Sequence, residues 1–76
     1  MPGLTEGRIV HFVLPNGKHR PAIIVHVWNN DRPYSCQLQV FTDAANDGLA
    51  NVEWRTSVAF DEDGEKAGTW HWIEYA

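Results

Sequence analysis

Hydrophobic and polar positions alternate over several short stretches of the chain, and turn-forming residues separate these stretches. Asn-Gly between two such runs is the strongest short signal for a β-hairpin. It occurs in Pro15-Asn16-Gly17-Lys18, between the runs 8–14 and 19–28. Three further runs, at 35–42, 52–60 and 69–75, have the same β-type pattern. The alternation therefore predicts five short strands.

No window of the chain has a helical period, and 43–49 is the single candidate for a helical turn. Five short strands separated by turns predict an all-β domain. Closing such a sheet into a small five-stranded SH3-like barrel would remove its exposed edges. The length of 76 residues suits one domain, 1–76. A domain of this size buries only about 60% of its unfolded surface, so we expect a homo-oligomer.

Charge and cysteine content restrict the partners and the location. Ten acidic residues against six basic ones give a net charge of −4, which argues against long nucleic acid as a partner. A small nucleotide remains open, because two arginines can clasp its phosphates. The single cysteine, Cys36, cannot form an internal disulfide, and no signal-peptide or membrane-span pattern is present. We therefore expect a cytoplasmic protein without a membrane partner.

Four tryptophans are an unusually high number for 76 residues. They can fill a core, because each buries a large area, or they can stack on nucleic-acid bases at the surface. Trp70 and Trp72 lie two positions apart, so they should point to the same side of a strand. A small barrel has little interior room. We therefore expect one or two of the set to lie at the surface, at an interface or in a pocket: Trp28, Trp54, Trp70 and Trp72.

Two arginines are candidates for a phosphate clamp. Arg55 follows a tryptophan and precedes the hydroxyl of Thr56 in a predicted strand, and Arg20 follows the hairpin turn. A guanidinium can donate two parallel hydrogen bonds to a phosphate. The alternative for Arg55 is a solvated side chain paired with Glu53 or Glu74.

The loop after the third strand carries short polar side chains, Asp43, Asn46 and Asp47. Carboxylates of this kind accept hydrogen bonds from ribose hydroxyls. The alternative is that they are turn residues whose side chains bond to their own backbone. The loop therefore supplies candidate ribose acceptors or a turn.

Four histidines, His11, His19, His26 and His71, have spacings that match no zinc signature, and clustered cysteines are missing. We therefore expect no metal site and no cofactor. His26 and His71 lie close to tryptophans in the sequence, so they could hydrogen-bond a ligand or transfer protons at a phosphodiester. The alternative is that they are outward-facing strand residues.

Two resemblances add to this interpretation. The first third of the chain resembles the opening hairpin of PemK/MazF-type toxin barrels, which are SH3-like ribonucleases, through Gly7-Arg8-Ile9-Val10, Leu14-Pro15 and Arg20-Pro21-Ala22-Ile23-Ile24-Val25. No counterpart of the later catalytic segments of those toxins is present. This resemblance implies the barrel and not the ribonuclease activity.

Most of the chain is similar to a set of small accessory proteins of tailed bacteriophages. The segments that carry this similarity are 20–25, 38–43, 54–58 and 68–72. Some small phage proteins of this type are anti-defence proteins that sequester cyclic or ADP-ribose-derived signalling nucleotides. The resemblance therefore raises the expectation of a similar role in the host bacterial cytoplasm.

Together these features favour a protein that binds and sequesters a small signalling nucleotide without cleaving it. The predicted binding set combines stacking, clamping and hydrogen-bonding side chains: Arg20, His26, Trp28, Asp43, Asn46, Asp47, Trp54, Arg55, Thr56, Trp70, His71 and Trp72. A pocket of about 300 Å³ or more is hard to form inside one small barrel, so we expect it at an interface between copies. The alternatives are a phosphodiesterase or ribonuclease, and a module that binds a host or virion protein.

Overall fold

The first hairpin forms where the Asn-Gly signal predicts it. Strand β1 spans Ile9–Val13 and strand β2 spans His19–Val27. In the turn, Gly17 has φ +84°, and Asn16 Oδ1 accepts a hydrogen bond of 2.8 Å from the backbone N–H of Lys18. The turn sets Val13 opposite His19 and His11 opposite Pro21. It therefore fixes which side chains of the two strands share a face.

The computed structural model describes residues 1–74 and contains three further strands and one short helix. They are β3 at Cys36–Phe41, α1 at Ala44–Asp47, β4 at Val52–Val58 and β5 at Trp70–His71. The prediction of an all-β, five-stranded domain is confirmed, and the single helical turn lies within the predicted segment 43–49. The last strand is shorter than the predicted 69–75, and Tyr75 lies outside the described residues.

All five strands belong to one antiparallel sheet with the order β4-β3-β2-β1-β5. The chain beyond β4 returns to the opposite edge, where Phe60 forms a parallel bridge with Trp70. Backbone hydrogen bonds of 2.9 Å join Trp70 N–H to the carbonyl of Ala59 and Asp61 N–H to the carbonyl of Trp70. These bonds connect the two edges of the sheet, so the domain is barrel-like.

The core lies on the inner face of this curled sheet. Leu38 and Val40 share the buried face of β3, as the alternation predicts, and Phe12 contributes from β1. Trp70 is fully buried among them, and its indole N–H donates a 2.9 Å hydrogen bond to the carbonyl of Tyr34. No helix within residues 1–74 has the length and apolar character needed to cross a membrane.

Candidate functional site

The four tryptophans have different environments. Trp70 is a core residue with no exposed surface, so it has no free face on which a base could stack. Trp28 and Trp54 are 56% and 49% exposed. Trp72 is partly buried and packs edge-on against Trp70, with 5.1 Å between ring centroids. Three of the four therefore offer some surface to a partner.

In the polar loop after β3, side chains bond to the loop's own backbone and to one another, as expected for a turn and not for free ribose acceptors. Asp43 caps α1, and its carboxylate accepts a 3.2 Å hydrogen bond from the backbone N–H of Ala45. The side-chain amide of Asn46 donates a 2.7 Å hydrogen bond to the other carboxylate oxygen of Asp43. These two side chains are therefore engaged in local structure.

Arg20 and Asp47, predicted as phosphate clamp and ribose acceptor, bind each other. Arg20 Nε and Nη2 donate to the two carboxylate oxygens of Asp47 at 2.8 and 2.7 Å, and the Asp47 side chain has no exposed surface. These hydrogen bonds hold the pKa of Asp47 far below its usual range, with help from the backbone N–H of Asp43 and the Asn16 amide. The pair joins β2 to α1 and leaves little of either group for a ligand.

Arg55 is paired with Glu53, which was the alternative to its use as a phosphate clamp. Its Nη2 lies 3.4 Å from Glu53 Oε1, and its guanidinium lies 5.7 Å from the ring centroid of Phe12. The hydroxyl of Thr56 donates to the side-chain oxygen of Gln37, which also accepts a 3.0 Å bond from the backbone N–H of Ser57. Both predicted phosphate contacts therefore have partners within the fold.

His26 and His71 lie far apart. His26 packs edge-on against Trp28, with 4.5 Å between ring centroids. His71 is paired with His11, which is opposite Pro21 in β2. His26 lies five positions after Pro21 in β2, which corresponds to about 16 Å along a strand. The two histidines therefore do not form an acid–base pair.

The structure instead brings together three histidines and a glutamate, which we call the histidine cluster: His11, His19, His71 and Glu74. Glu74 Oε1 lies 2.6 Å from His11 Nδ1 and 2.7 Å from His71 Nε2. Glu74 Oε2 lies 2.7 Å from His19 Nδ1. One carboxylate thus makes hydrogen bonds to three imidazoles that come from three different strands.

Strand register explains this convergence. Phe12 points into the core, so His11 and Val13 on either side of it share the opposite face of β1, where Val13 is buried and His11 is partly exposed. Val13 is opposite His19, so His19 lies on the same face, diagonal to His11. His71 of β5 is directly opposite His11 on the other side of β1. The register of the hairpin brings His11 and His19 together, whereas the position of His71 depends on where β5 joins the sheet.

The loop 61–68 supports the buried member of the cluster. Asp61 accepts hydrogen bonds from the backbone N–H groups of Lys66 and Glu65, which lower its pKa and hold the loop in a tight turn. The loop places Gly64 against His71, and a Cβ at Gly64 would lie 3.1 Å from Cγ and Cδ2 of the imidazole. The His71 side chain is only 5% exposed. Its ring is therefore held in place by packing.

The electrostatics of the cluster favour an ionised carboxylate. Desolvation works to raise the pKa of Glu74, but hydrogen bonds from His11, His71 and His19 outweigh it and hold this pKa at about 2. The carboxylate is thus negatively charged at neutral pH and faces three nitrogen atoms. The cluster thus combines one negative charge with three nitrogen atoms that can donate or accept.

A surface groove lies where the chain enters β1 and leaves β5. Its volume is about 380 Å³, and its lining residues are Gly7, Arg8, Ile9, Trp72 and Ile73. The Arg8 guanidinium lies 5.4 Å from the ring centroid of Trp72, within the range of a cation–π contact. A groove of this size is therefore present on a single chain. Trp72 belongs to the predicted binding set, whereas Arg8 does not.

Comparison with protein-family models, with curated proteins and with solved structures found no match to this chain.

Proposed function

We propose that this protein is a non-enzymatic binding module for a small anionic ligand with an aromatic ring, of the nucleotide class. The observation that carries the proposal is the pairing of Arg8 with Trp72 at a groove of about 380 Å³. This volume falls within the range of about 300–1,000 Å³ typical of small-molecule sites.

The chemistry of the groove suits such a ligand. Arg8 is exposed, and within residues 1–74 it makes no ion pair with a carboxylate, so its positive charge is available to a phosphate. Ile9 and Ile73 provide apolar walls for a base or a ribose, and Trp72 provides an aromatic surface. The groove thus combines a phosphate donor with stacking surface, which a nucleotide requires.

Binding without cleavage is favoured by the same set of residues. None of the five lining residues is a histidine, a carboxylate or another group that exchanges protons near neutral pH. The histidines of the cluster are hydrogen-bonded to Glu74. These features support sequestration over the phosphodiesterase or ribonuclease alternative. The resemblance to phage accessory proteins makes a signalling nucleotide of bacterial immunity, in the host cytoplasm, the ligand that we propose.

Self-association is part of the proposal. Phe41 is opposite Val52, and Trp54 lies two residues further along β4, so the three share one face of the β3–β4 pair. All three are between 43% and 49% exposed. An apolar face of this kind beside an edge strand supports a homo-oligomer, which native mass spectrometry would detect directly.

Calorimetric titration with cyclic ADP-ribose isomers, cyclic dinucleotides and AMP tests the proposal. We expect saturable binding of at least one ligand, and Arg8→Gln should weaken it about 10-fold or more, because hydrogen bonds to charged groups contribute about 1.5–3 kcal/mol. Arg32→Gln is the matched control, because Arg32 also lies over an aromatic ring, 5.9 Å from Tyr34, outside the groove.

Two results would contradict the proposal. Absence of binding heat for every ligand in the panel would rule out the proposal that the ligand is a nucleotide. Chromatography of the ligand after incubation must recover it intact, since a hydrolysed product would show that the protein is an enzyme.

A further inference from the structure

We propose that the histidine cluster is a binding site for one divalent transition-metal ion, with Zn²⁺ as the best match. This inference is independent of the nucleotide groove. It assigns a structural metal site to residues whose spacing in the sequence, 11, 19, 71 and 74, resembles no zinc motif.

The first support is distance. One ligand atom from each of the four side chains lies within 4.8 Å of all the others. Four ligands at 2.0–2.1 Å from a tetrahedral zinc ion are about 3.3 Å from one another. The carboxylate oxygens now lie 2.6–2.7 Å from the imidazole nitrogens, which is hydrogen-bonding distance. Binding of an ion therefore requires the carboxylate to move away by less than about 1 Å and the most widely separated ligand atoms, up to 4.8 Å apart, to approach one another.

The second support is the chemistry of the donor set. Three imidazoles and one carboxylate are ligands that zinc accepts, whereas Ca²⁺ and Mg²⁺ require mainly oxygen ligands. The ionised carboxylate supplies one negative charge, so a divalent ion is only partly neutralised by the protein. The nitrogens that face Glu74 are Nδ1 of His11, Nδ1 of His19 and Nε2 of His71. In the metal-bound form these nitrogens present lone pairs and the ring protons move to the opposite nitrogens.

The third support is that the ligands are already held in position. His11 and His71 are directly opposite each other in the sheet, and the ring of His71 packs against Gly64. Within residues 1–74 the hydrogen bond of this ring is the one from Nε2 to Glu74, while Nδ1 is buried without a partner.

The cluster also has an entrance. The side chain of Glu74 is half exposed, whereas His11 and His19 are partly exposed and His71 is buried. An ion can therefore reach the site from solvent on the side of Glu74. Four protein ligands fill a tetrahedral shell, which is typical of structural zinc sites and not of catalytic sites that keep one position for water.

The test uses the full chain without an oligohistidine tag and Zn²⁺ as the only probe. Calorimetric titration should give one equivalent of bound zinc. Removing a group that only hydrogen-bonds a metal ligand weakens metal affinity about 10–100-fold. Removing a ligand itself, as in His11→Ala, should therefore weaken zinc binding by at least about 100-fold. His26→Ala is the matched control, because His26 is an exposed histidine of β2 outside the cluster, and it should bind zinc as the wild type does.

A second variant tests the site in case His11→Ala does not fold. Glu74→Gln keeps the shape of the side chain but removes its charge, and it should weaken zinc binding. The control is Glu62→Gln, at an exposed glutamate of the loop 61–68 outside the cluster, which should bind zinc as the wild type does. Circular dichroism establishes that each variant is folded. Co²⁺ provides a second readout, since a tetrahedral site gives strong visible absorption that the His11→Ala variant should lose. The proposal is overturned if the wild type binds no zinc, or if the cluster variants bind it as tightly as the His26 and Glu62 controls.

Discussion

Replacement of Gly64 by alanine tests how the loop 61–68 supports the histidine cluster. Gly64 has φ +69°, and a Cβ there would lie 3.1 Å from two ring carbons of His71 and 3.3 Å from its Nδ1. Gly48 has nearly the same φ, +68°, and a Cβ there would meet no atom within 4 Å. The pair Gly64→Ala and Gly48→Ala therefore separates the contact with His71 from the cost of the backbone conformation.

The magnitudes follow from these contacts. Alanine in the left-handed region costs about 1–2 kcal/mol, and reduced freedom of the unfolded chain offsets about 0.4–1 kcal/mol of this. Gly48→Ala should thus lose about 1 kcal/mol of unfolding free energy, or about 4–8 °C in Tm for a domain of this size. Gly64→Ala should lose a further 1–3 kcal/mol or so through overpacking against the imidazole.

Thermal unfolding followed by circular dichroism measures this difference, and zinc titration measures its effect on the cluster. We expect Gly64→Ala to have a Tm at least about 4 °C below that of Gly48→Ala and to bind zinc more weakly. Equal Tm values for the two variants would refute the role of the Gly64–His71 contact. Equal zinc affinities would show that the contact does not position the ligand.

Three further outcomes are expected. The pKa of Asp47 lies far below its usual value because of Arg20, so its stabilising effect is complete above about pH 4 and is lost as the pH falls below that. The free energy of unfolding, measured in urea between about pH 4 and pH 2, should therefore fall more steeply for the wild type than for Asp47→Asn. Burial raises the pKa of the Cys36 thiol to about 11, so iodoacetamide at pH 8 should label it slowly in the folded protein and rapidly in urea. Leu38→Ala should lose about 2–5 kcal/mol in urea unfolding, because Leu38 is fully buried.

The strands were predictable because local signals determine them. The Asn16-Gly17 turn fixes the first hairpin, and the alternation that contains Leu38 and Val40 identifies the buried face of β3. Asp43 marks the start of α1 by its capping side chain. In each case the pattern lies within one element or across one tight turn.

The histidine cluster was not predictable in this way, because it depends on contacts between distant strands. His11 and His19 can be placed on one face from the hairpin register, but His71 joins them only because β5 pairs with β1. Alternation places Trp70 and Trp72 on the same side of a strand, but it does not indicate that Trp70 is enclosed in the core while Trp72 is partly exposed. Such contacts are set by the closure of the whole sheet.

The separation of the cluster residues along the chain has a thermodynamic consequence. The hydrogen bond from His11 to Glu74 spans 63 positions, so it connects the first strand to the segment after the last. A covalent link that closes a loop of this length restricts the unfolded chain by about 4 kcal/mol in the chain-entropy model. With one cysteine, the chain cannot form such a link internally. A zinc ion held by the cluster would act as a reversible cross-link in its place, and the stability of the domain would then follow the free zinc concentration around it.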